Sequence, residues 1–394
     1  MFKNKVFKTI TIFCVVAFLT ACTSEPINDG VHEFAGQAKS AEMYEKLGIK
    51  EGETAIWEDG MRTDGKSGSY EWWYVDMELN DGITVVAAFY TTSGFDISGP
   101  SNPNVKLTIT YPDGTEVKRS VNEPEGTLIN ASKEKGDVSV GDSYLKYVDG
   151  DYQLYFNDGS VEFSAFMKST LPMWRPDTGY AYFDDKKENF MAWFVAQPSS
   201  DITANLTVDG VTKELKGTGY HDHNWGNISM DKIINHWYWG RAKVGEYNII
   251  ASDIISKEET GFTQISQFML AKDGVIFEFD QSKTVVIRGD TIQHPVTGKF
   301  YDNSLTYIQE SDDGTVYKVE FIREKDIAVD SLLSSLSFAK RTMAKMMGAN
   351  PTYIRTLGKV ILTIEKDGKV QVIEQEGLWE QMFFGNNKKA YIWN

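Results

Sequence analysis

Turn signals punctuate the chain at Asn80-Asp81-Gly82, Pro112-Asp113-Gly114, Asn157-Asp158-Gly159, Asp209-Gly210, Asp313-Gly314 and Asp367-Gly368, with short alternating apolar and polar runs between them. A period of two joined by such turns is the pattern of antiparallel hairpins. The chain is therefore expected to be all-β, and the lack of helical stretches between successive strands argues against a parallel α/β sheet. One helix is expected over 330–347. Asp330 or Ser331 would cap it, Gly348 and Pro351 would stop it, and Leu332, Leu333, Leu336, Met343, Met346 and Met347 would pack its apolar stripe against a barrel. Aromatic residues make up 13% of the chain, with 10 Trp, which suits β walls around an apolar interior.

A length of 394 residues suggests about two domains. A formal charge of −16, from 40 Lys and Arg against 56 Asp and Glu, excludes a general nucleic-acid binder. At the N-terminus, Lys3, Lys5 and Lys8 precede an apolar run from Ile10 to Leu19 and then Leu19-Thr20-Ala21-Cys22. That order is expected to be an export signal over 1–21, too short to span a membrane. Its end resembles the lipobox of bacterial lipoproteins, which implies a lipid on Cys22, a polar tether over 22–49, and a bacterial cell-envelope location (the outer membrane in a Gram-negative host). The other cysteine, Cys14, lies inside the signal, so no disulfide is expected in the mature chain.

Two internal matches point to duplication, although hairpins also resemble one another by chance. Glu71-Trp72-Trp73-Tyr74 leads to Val85-Val86-Ala87 much as His236-Trp237-Tyr238-Trp239 leads to Ile249-Ile250-Ala251. Asn205-Leu206-Thr207-Val208, a Gly turn and Gly219-Tyr220 recur as Ile361-Leu362-Thr363-Ile364, a Gly turn and Gly377-Leu378-Trp379. The expectation is two consecutive antiparallel barrels, over 50–218 and 236–394, joined by a junction segment over 219–235.

The densest polar cluster is Gly217-Thr218-Gly219-Tyr220-His221-Asp222-His223-Asn224-Trp225-Gly226. Extended, it places Tyr220, Asp222 and Asn224 on one face and His221, His223 and Trp225 on the other. A carboxyl shielded from water beside a Tyr and an amide would handle a proton near neutral pH; the same groups would also serve as a buried network pinning two barrels together. Glu71 sits among Tyr70, Trp72, Trp73 and Tyr74, either as a carboxyl in an apolar wall beside Asp222 or as a strand-end group reaching solvent. Arg241, after Trp237 and Trp239, is a candidate partner for Glu71 or Asp222, or a surface residue. A metal on His221, His223 and His236 is disfavoured, because no Cys is available and Asp222 faces away from its His neighbours. No nucleophile elbow, Walker loop or dinucleotide fingerprint occurs.

Glu71-Trp72-Trp73-Tyr74 together with Gly219-Tyr220-His221-Asp222-His223-Asn224-Trp225-Gly226 resembles the lipocalin-like family of hydroxyneurosporene synthase (carotenoid 1,2-hydratase) and the AttH proteins, with kievitone hydratase and certain Diels-Alderases more distant. The resemblance implies two lipocalin-like barrels with a pocket near their junction, and cofactor-free, metal-free chemistry on large apolar isoprenoid or polyene substrates. It implies Asp222 as the acid with Tyr220 assisting and Trp193, Trp72 and Trp237 facing a cation; the clusters themselves add His221 and Glu71 as further catalytic candidates. Trp72, Trp73, Tyr74, Trp193, His223, Asn224, Trp225, Trp237, Trp239 and Arg241 would then contact the substrate. The chain departs from the hydratases at Met191-Ala192-Trp193, where a His is expected before the Trp, and so stands nearer the AttH branch. A hydratase or isomerase and a non-catalytic carrier of apolar ligands remain the two functional expectations. If Cys22 is lipidated, the chain partitions with membranes and Cys22→Ser releases it or blocks its processing; unchanged membrane partitioning of the variant would contradict the anchor.

Overall fold

The computed structural model describes residues 33–92, 97–331, 333, 342 and 350–384. They form two curled antiparallel sheets. The first has thirteen strands: β1 (Gly36–Gln37), β2 (Tyr70–Leu79), β3 (Thr84–Tyr90), β4 (Asn104–Thr110), β5 (Glu116–Asn122), β6 (Asn130–Ala131), β7 (Asp137–Val140), β8 (Ser143–Val148), β9 (Asp151–Asn157), β10 (Val161–Ser169), β11 (Tyr180–Tyr182), β12 (Phe190–Val208) and β13 (Val211–Gly226). The second has nine: β14 (Ile234–Val244), β15 (Tyr247–Ser256), β16 (Gln264–Lys272), β17 (Val275–Ile276), β18 (Val285–Gln293), β19 (Phe300–Glu310), β20 (Val316–Ser331), β21 (Thr352–Lys366) and β22 (Lys369–Phe383). Each turn signal read from the sequence falls between two paired strands. At Asp209-Gly210 and Asp367-Gly368 both residues have positive φ, the left-handed backbone of a two-residue hairpin whose twist matches its strands.

Each sheet wraps its own apolar core. Trp73, Val75, Met77, Phe89, Leu107 and Phe163 fill the first; Tyr238, Phe268, Tyr301, Tyr307, Phe321 and Trp379 fill the second. The duplication expected from sequence is visible in the strand order, β3-β2-β13-β12 in one sheet and β15-β14-β22-β21 in the other. Trp72 and Trp237 hold equivalent places, each on an aromatic strand paired on one side with the next strand and on the other with the last strand of its sheet.

Three expectations need correction. Residues 219–226 do not cross between domains, because they are the second half of β13, paired throughout with β2 and β12. The crossing is confined to 227–233, including the short α2 (Met230–Ile233). Residues 33–49 are not a tether. Helix α1 (Ala41–Leu47), capped by Ser40 and ended by Gly48, buries Met43 and Tyr44, while β1 adds to β11. Finally, Asp330 and Ser331 end strand β20, paired with Tyr353 and Thr352, instead of capping a helix. Most of 332–349, like the expected signal and Cys22, lies outside the described residues.

The two sheets meet outer face to outer face. Asp76 of β2 is fully buried at this junction, with Arg241 Nε of β14 at 3.1 Å from one oxygen and Arg355 Nη2 of β21 at 3.0 Å from the other. Arg241 also pairs with Glu78 at 3.1 Å. Burial opposes the Asp76 charge, but the two guanidinium groups outweigh it and hold the carboxyl below its usual range. Removing one member of such a cluster strands buried charge. Asp76→Ala is expected to cost about 3–5 kcal/mol in urea unfolding; a loss well under about 1 kcal/mol, the typical worth of an exposed pair, would show that the cluster does not hold the sheets together.

Candidate functional site

Alternation along β2 and β13 divides the signature residues between two compartments. Trp72, Tyr74 and Asp76 share the outer face with Tyr220, Asp222 and Asn224, since Asp222 lies opposite Tyr74 in the ladder. Trp193 of β12 joins them, aligned with Asn224. The β12–β13 ladder shifts register between Phe194 and Ser200, where Pro198 removes a backbone donor; irregularities of this kind re-aim neighbouring side chains. The second sheet presents Trp237 and Trp239 of β14, Tyr353 and Arg355 of β21, and Glu380 and Met382 of β22. Between the faces lies a cavity of about 1870 Å³ lined by these residues together with Trp72, Tyr74, Tyr90, Trp193, Asp222 and Asn224.

Asp222 is the buried acidic group of the first-sheet wall. One oxygen accepts from Trp193 Nε1 at 2.9 Å and Tyr220 Oη at 2.8 Å, and the other accepts from Asn224 Nδ2 at 2.9 Å. Burial pushes its pKa up to about 6, against the opposing pull of these hydrogen bonds and of His221 and His223 behind the sheet. Tyr220 is fully buried behind Asp222 and does not itself line the cavity; its ring packs against Trp239 at 5.2 Å. Tyr74 meets Trp239 edge-on at 6.3 Å, and Trp72 lies 6.4 Å from Tyr90. Around Asp222 the wall is formed by the aromatic residues Trp72, Tyr74, Tyr90 and Trp193, a local arrangement that suits an apolar ligand and stabilises cationic character near the ring faces, while Glu116, Glu123, Lys106 and Lys118 line other parts of the cavity.

Glu71, Trp73, His221, His223 and Trp225 point the other way, into the first sheet's interior, and do not reach the cavity. Glu71 is not beside Asp222. It accepts from His223 Nε2 at 2.8 Å and from Thr63 N and Oγ1 at 2.8 and 2.6 Å, and so fastens the 62–63 loop to the sheet. His221 Nδ1 donates to the Tyr74 carbonyl at 2.8 Å and Nε2 lies 3.1 Å from Asp59 Oδ2, which also accepts from Tyr152 Oη at 2.7 Å. His223 stacks between Trp73 at 4.5 Å and Trp225 at 4.7 Å. With both histidines committed to carboxylates here, His236 stands apart in the second sheet, bonded to Asn235 and stacked on Phe383. Arg241, expected near Glu71 or Asp222, is instead taken by Asp76 and Glu78.

Sequence reasoning did not single out Tyr90, Tyr353, Arg355 or Glu380. A signal for Glu380 was present: the internal match of Gly219-Tyr220 with Gly377-Leu378 sets Asp222 against Glu380.

A family model described as Diels-Alderase-like matches residues 63–329. The chain belongs to the Diels-Alderase-like family. It is 26% identical over 133 residues, 33% of this chain and 36% of that protein, to the quinolone epoxide rearrangement protein penF of Penicillium thymicola. It is 26% identical over 210 residues, 44% of this chain and 54% of that protein, to a hydroxyneurosporene dehydrogenase of Chlorobaculum tepidum. The chain thus spans between about a third and about half of these curated relatives. Among solved structures, a Nitrosomonas europaea protein assigned as AttH aligns with a TM-score of 0.56 at 15% identity, covering 84% of this chain and 98% of that one. Kievitone hydratase from Nectria haematococca aligns with a TM-score of 0.50 at 14% identity, covering 84% and 94%. At such identity the structures establish the fold, and the resemblance to the AttH and hydratase group read from the two motifs stands.

The His221 ring sits between two acceptors, which favours its doubly protonated form. Burial opposes that charge, yet Asp59 outweighs it and raises the pKa above the ordinary value. A raised folded-state value gives stability that is present below about 6.5 and lost as pH climbs through the folded pKa. His221→Gln should therefore be less stable than the parent by about 1–3 kcal/mol at pH 6, with the gap narrowing towards pH 9 in urea unfolding. A gap that widens with pH would contradict this assignment.

Proposed function

We propose that the cleft between the two sheets binds a large apolar molecule of isoprenoid or polyene type and carries out cofactor-free proton transfer on it, as hydration or isomerisation. The carrying observation is Asp222, buried in an aromatic wall and facing the cavity with a pKa raised to about 6, so that it exchanges a proton near neutral pH. Trp72, Tyr74, Trp193, Trp237 and Trp239 line the same cavity, where their ring faces would stabilise a developing cation. Support also comes from the names of the relatives, a quinolone epoxide rearrangement protein, a hydroxyneurosporene dehydrogenase and a kievitone hydratase, and from a fold neighbour crystallised with a small molecule, CghA with Sch210972 (TM-score 0.55, 12% identity). We read each curled sheet as a lipocalin-like barrel, with the substrate between the barrels and not inside either. Lipid on Cys22 would hold the protein at the bacterial cell envelope, beside membrane-dissolved substrate.

The size and aromatic lining of the cavity serve a non-catalytic carrier equally well. The two readings part at Asp222. With squalene as the probe, a catalyst should lose turnover about 10²- to 10⁴-fold in Asp222→Asn while still binding. Binding without turnover in the parent, left unchanged by Asp222→Asn, would replace the catalyst with the carrier.

A further inference from the structure

The pseudo-repeat supplies a second carboxyl. Asp222 lies on β13 opposite Tyr74 of β2; Glu380 lies on β22 opposite Trp239 of β14, the equivalent strand pair. The equivalence extends to the donors. Trp193 of β12, aligned with Asn224, donates to Asp222, and Tyr353 of β21, aligned with Met382, donates to Glu380 Oε2 at 2.5 Å. The strands are brought face to face by the Tyr74–Trp239 and Tyr220–Trp239 ring contacts, so both carboxyls line one cavity. Tyr74 Oη and Trp239 Nε1, themselves at equivalent positions, are both buried and make no hydrogen bond among the described residues.

We propose that Glu380 is a second proton-transfer residue of this cleft, giving the proton that reaches the substrate while Asp222 receives the proton that leaves. The inference rests on the catalytic reading above and reverses the part the family resemblance implies for Asp222. Its ground is the donor sets. Asp222 takes hydrogen bonds on both oxygens from the Trp193 N–H, the Asn224 amide and the Tyr220 hydroxyl, a surround that fits a carboxylate. Glu380 accepts from Tyr353 alone among the described residues, which leaves room for its own proton.

The charged and titratable groups acting on Glu380 are Tyr353 and Arg355 of β21, Asp76 of β2 and Asp222 of β13; its own charge reaches Tyr74 and, with that of Asp222, Tyr90. Burial dominates at both carboxyls, pushing Glu380 up to about 7 and Asp222 up to about 6, so each exchanges a proton near neutral pH, and the donor sets decide which of them holds it. In a hydration, the Glu380 O–H bond breaks and its proton forms a C–H bond with the electron pair of the alkene. Water oxygen then bonds to the resulting tertiary cation, and the proton it sheds passes to the Asp222 carboxylate. Solvent exchange returns the proton from Asp222 and restores Glu380, leaving alkene plus water converted to alcohol.

The test needs no substrate: carbon-13 NMR titration of the full chain labelled at the Glu side-chain carboxyl, the Glu380 signal being the one lost in the near-isosteric Glu380→Gln. The signal should titrate near pH 7, move to lower pH in Asp222→Asn because a neighbouring negative charge is gone, and move to higher pH in Tyr353→Phe because a donor to the charged form is gone. A midpoint near about 4.3, the ordinary glutamate value, or one that ignores Asp222→Asn, overturns the inference. Deuterium uptake from heavy water into squalene separates the two levels. Uptake lost in Asp222→Asn but kept in Glu380→Gln overturns the role of Glu380 and leaves the catalytic reading standing, whereas uptake kept in both variants overturns that reading itself.

Discussion

The buried carboxylate of Asp76, held between Arg241 and Arg355, is the interaction on which the rest of the structure depends. Two charged guanidinium groups at a sheet–sheet junction would be ruinous unpaired, and the desolvation they suffer is offset only because one carboxylate bridges both. Asp76 follows Tyr74 by two residues on β2, and Arg241 follows Trp239 by two on β14, so a complementary pair occupies equivalent places in the two repeats. The bridge fixes which faces meet. It seals one end of the contact between the sheets and leaves the aromatic residues nearer Trp72 and Trp237 to line a cavity instead of collapsing on one another.

Strand β13 then serves two compartments at once. Its odd-numbered residues, His221 and His223, lock the 59–63 loop and the interior of the first sheet through Asp59 and Glu71; its even-numbered residues, Asp222 and Asn224, face the cavity. This arrangement is why a polar stretch tolerates full burial, since the Asp59 and Glu71 carboxylates on the inner face each meet a histidine. It also tunes the outer face. Burial raises the Asp222 pKa, the Tyr220 and Trp193 hydrogen bonds oppose it, and the charge of His221 behind the sheet adds a smaller pull in the same direction as those bonds.

Much of this was legible in the sequence where chemistry is local. Asp-Gly turns announced the hairpins, alternation sorted Asp222 from His221, and the repeated aromatic strands announced two related sheets. What escaped depends on partners distant along the chain. Asp76 and Arg241 look ordinary until β2 and β14 are set face to face, and Glu71 was placed with Asp222 because both lie in conspicuous motifs, although register puts them on opposite sides of one sheet. The segment 33–49 reads as polar, yet Met43 docks α1 against Tyr182 and Ala38, and Tyr44 is buried under Arg175. Gly217 hid its role as well: a Cβ there would lie 2.0 Å from the Glu78 carbonyl, so glycine lets β13 run close against β2 into the site.

The central claim is that ligand occupies the cleft between the sheets and neither sheet's interior. Photo-cross-linking with a diazirine-bearing acyclic isoprenoid, followed by peptide mapping, tests it most directly. The account predicts label on peptides carrying Trp72, Trp193, Trp237 or Trp239 from both sheets, competed by unlabelled isoprenoid. Label concentrated on interior residues of one sheet, such as Val85 and Leu107 or Phe268 and Tyr307, would contradict it.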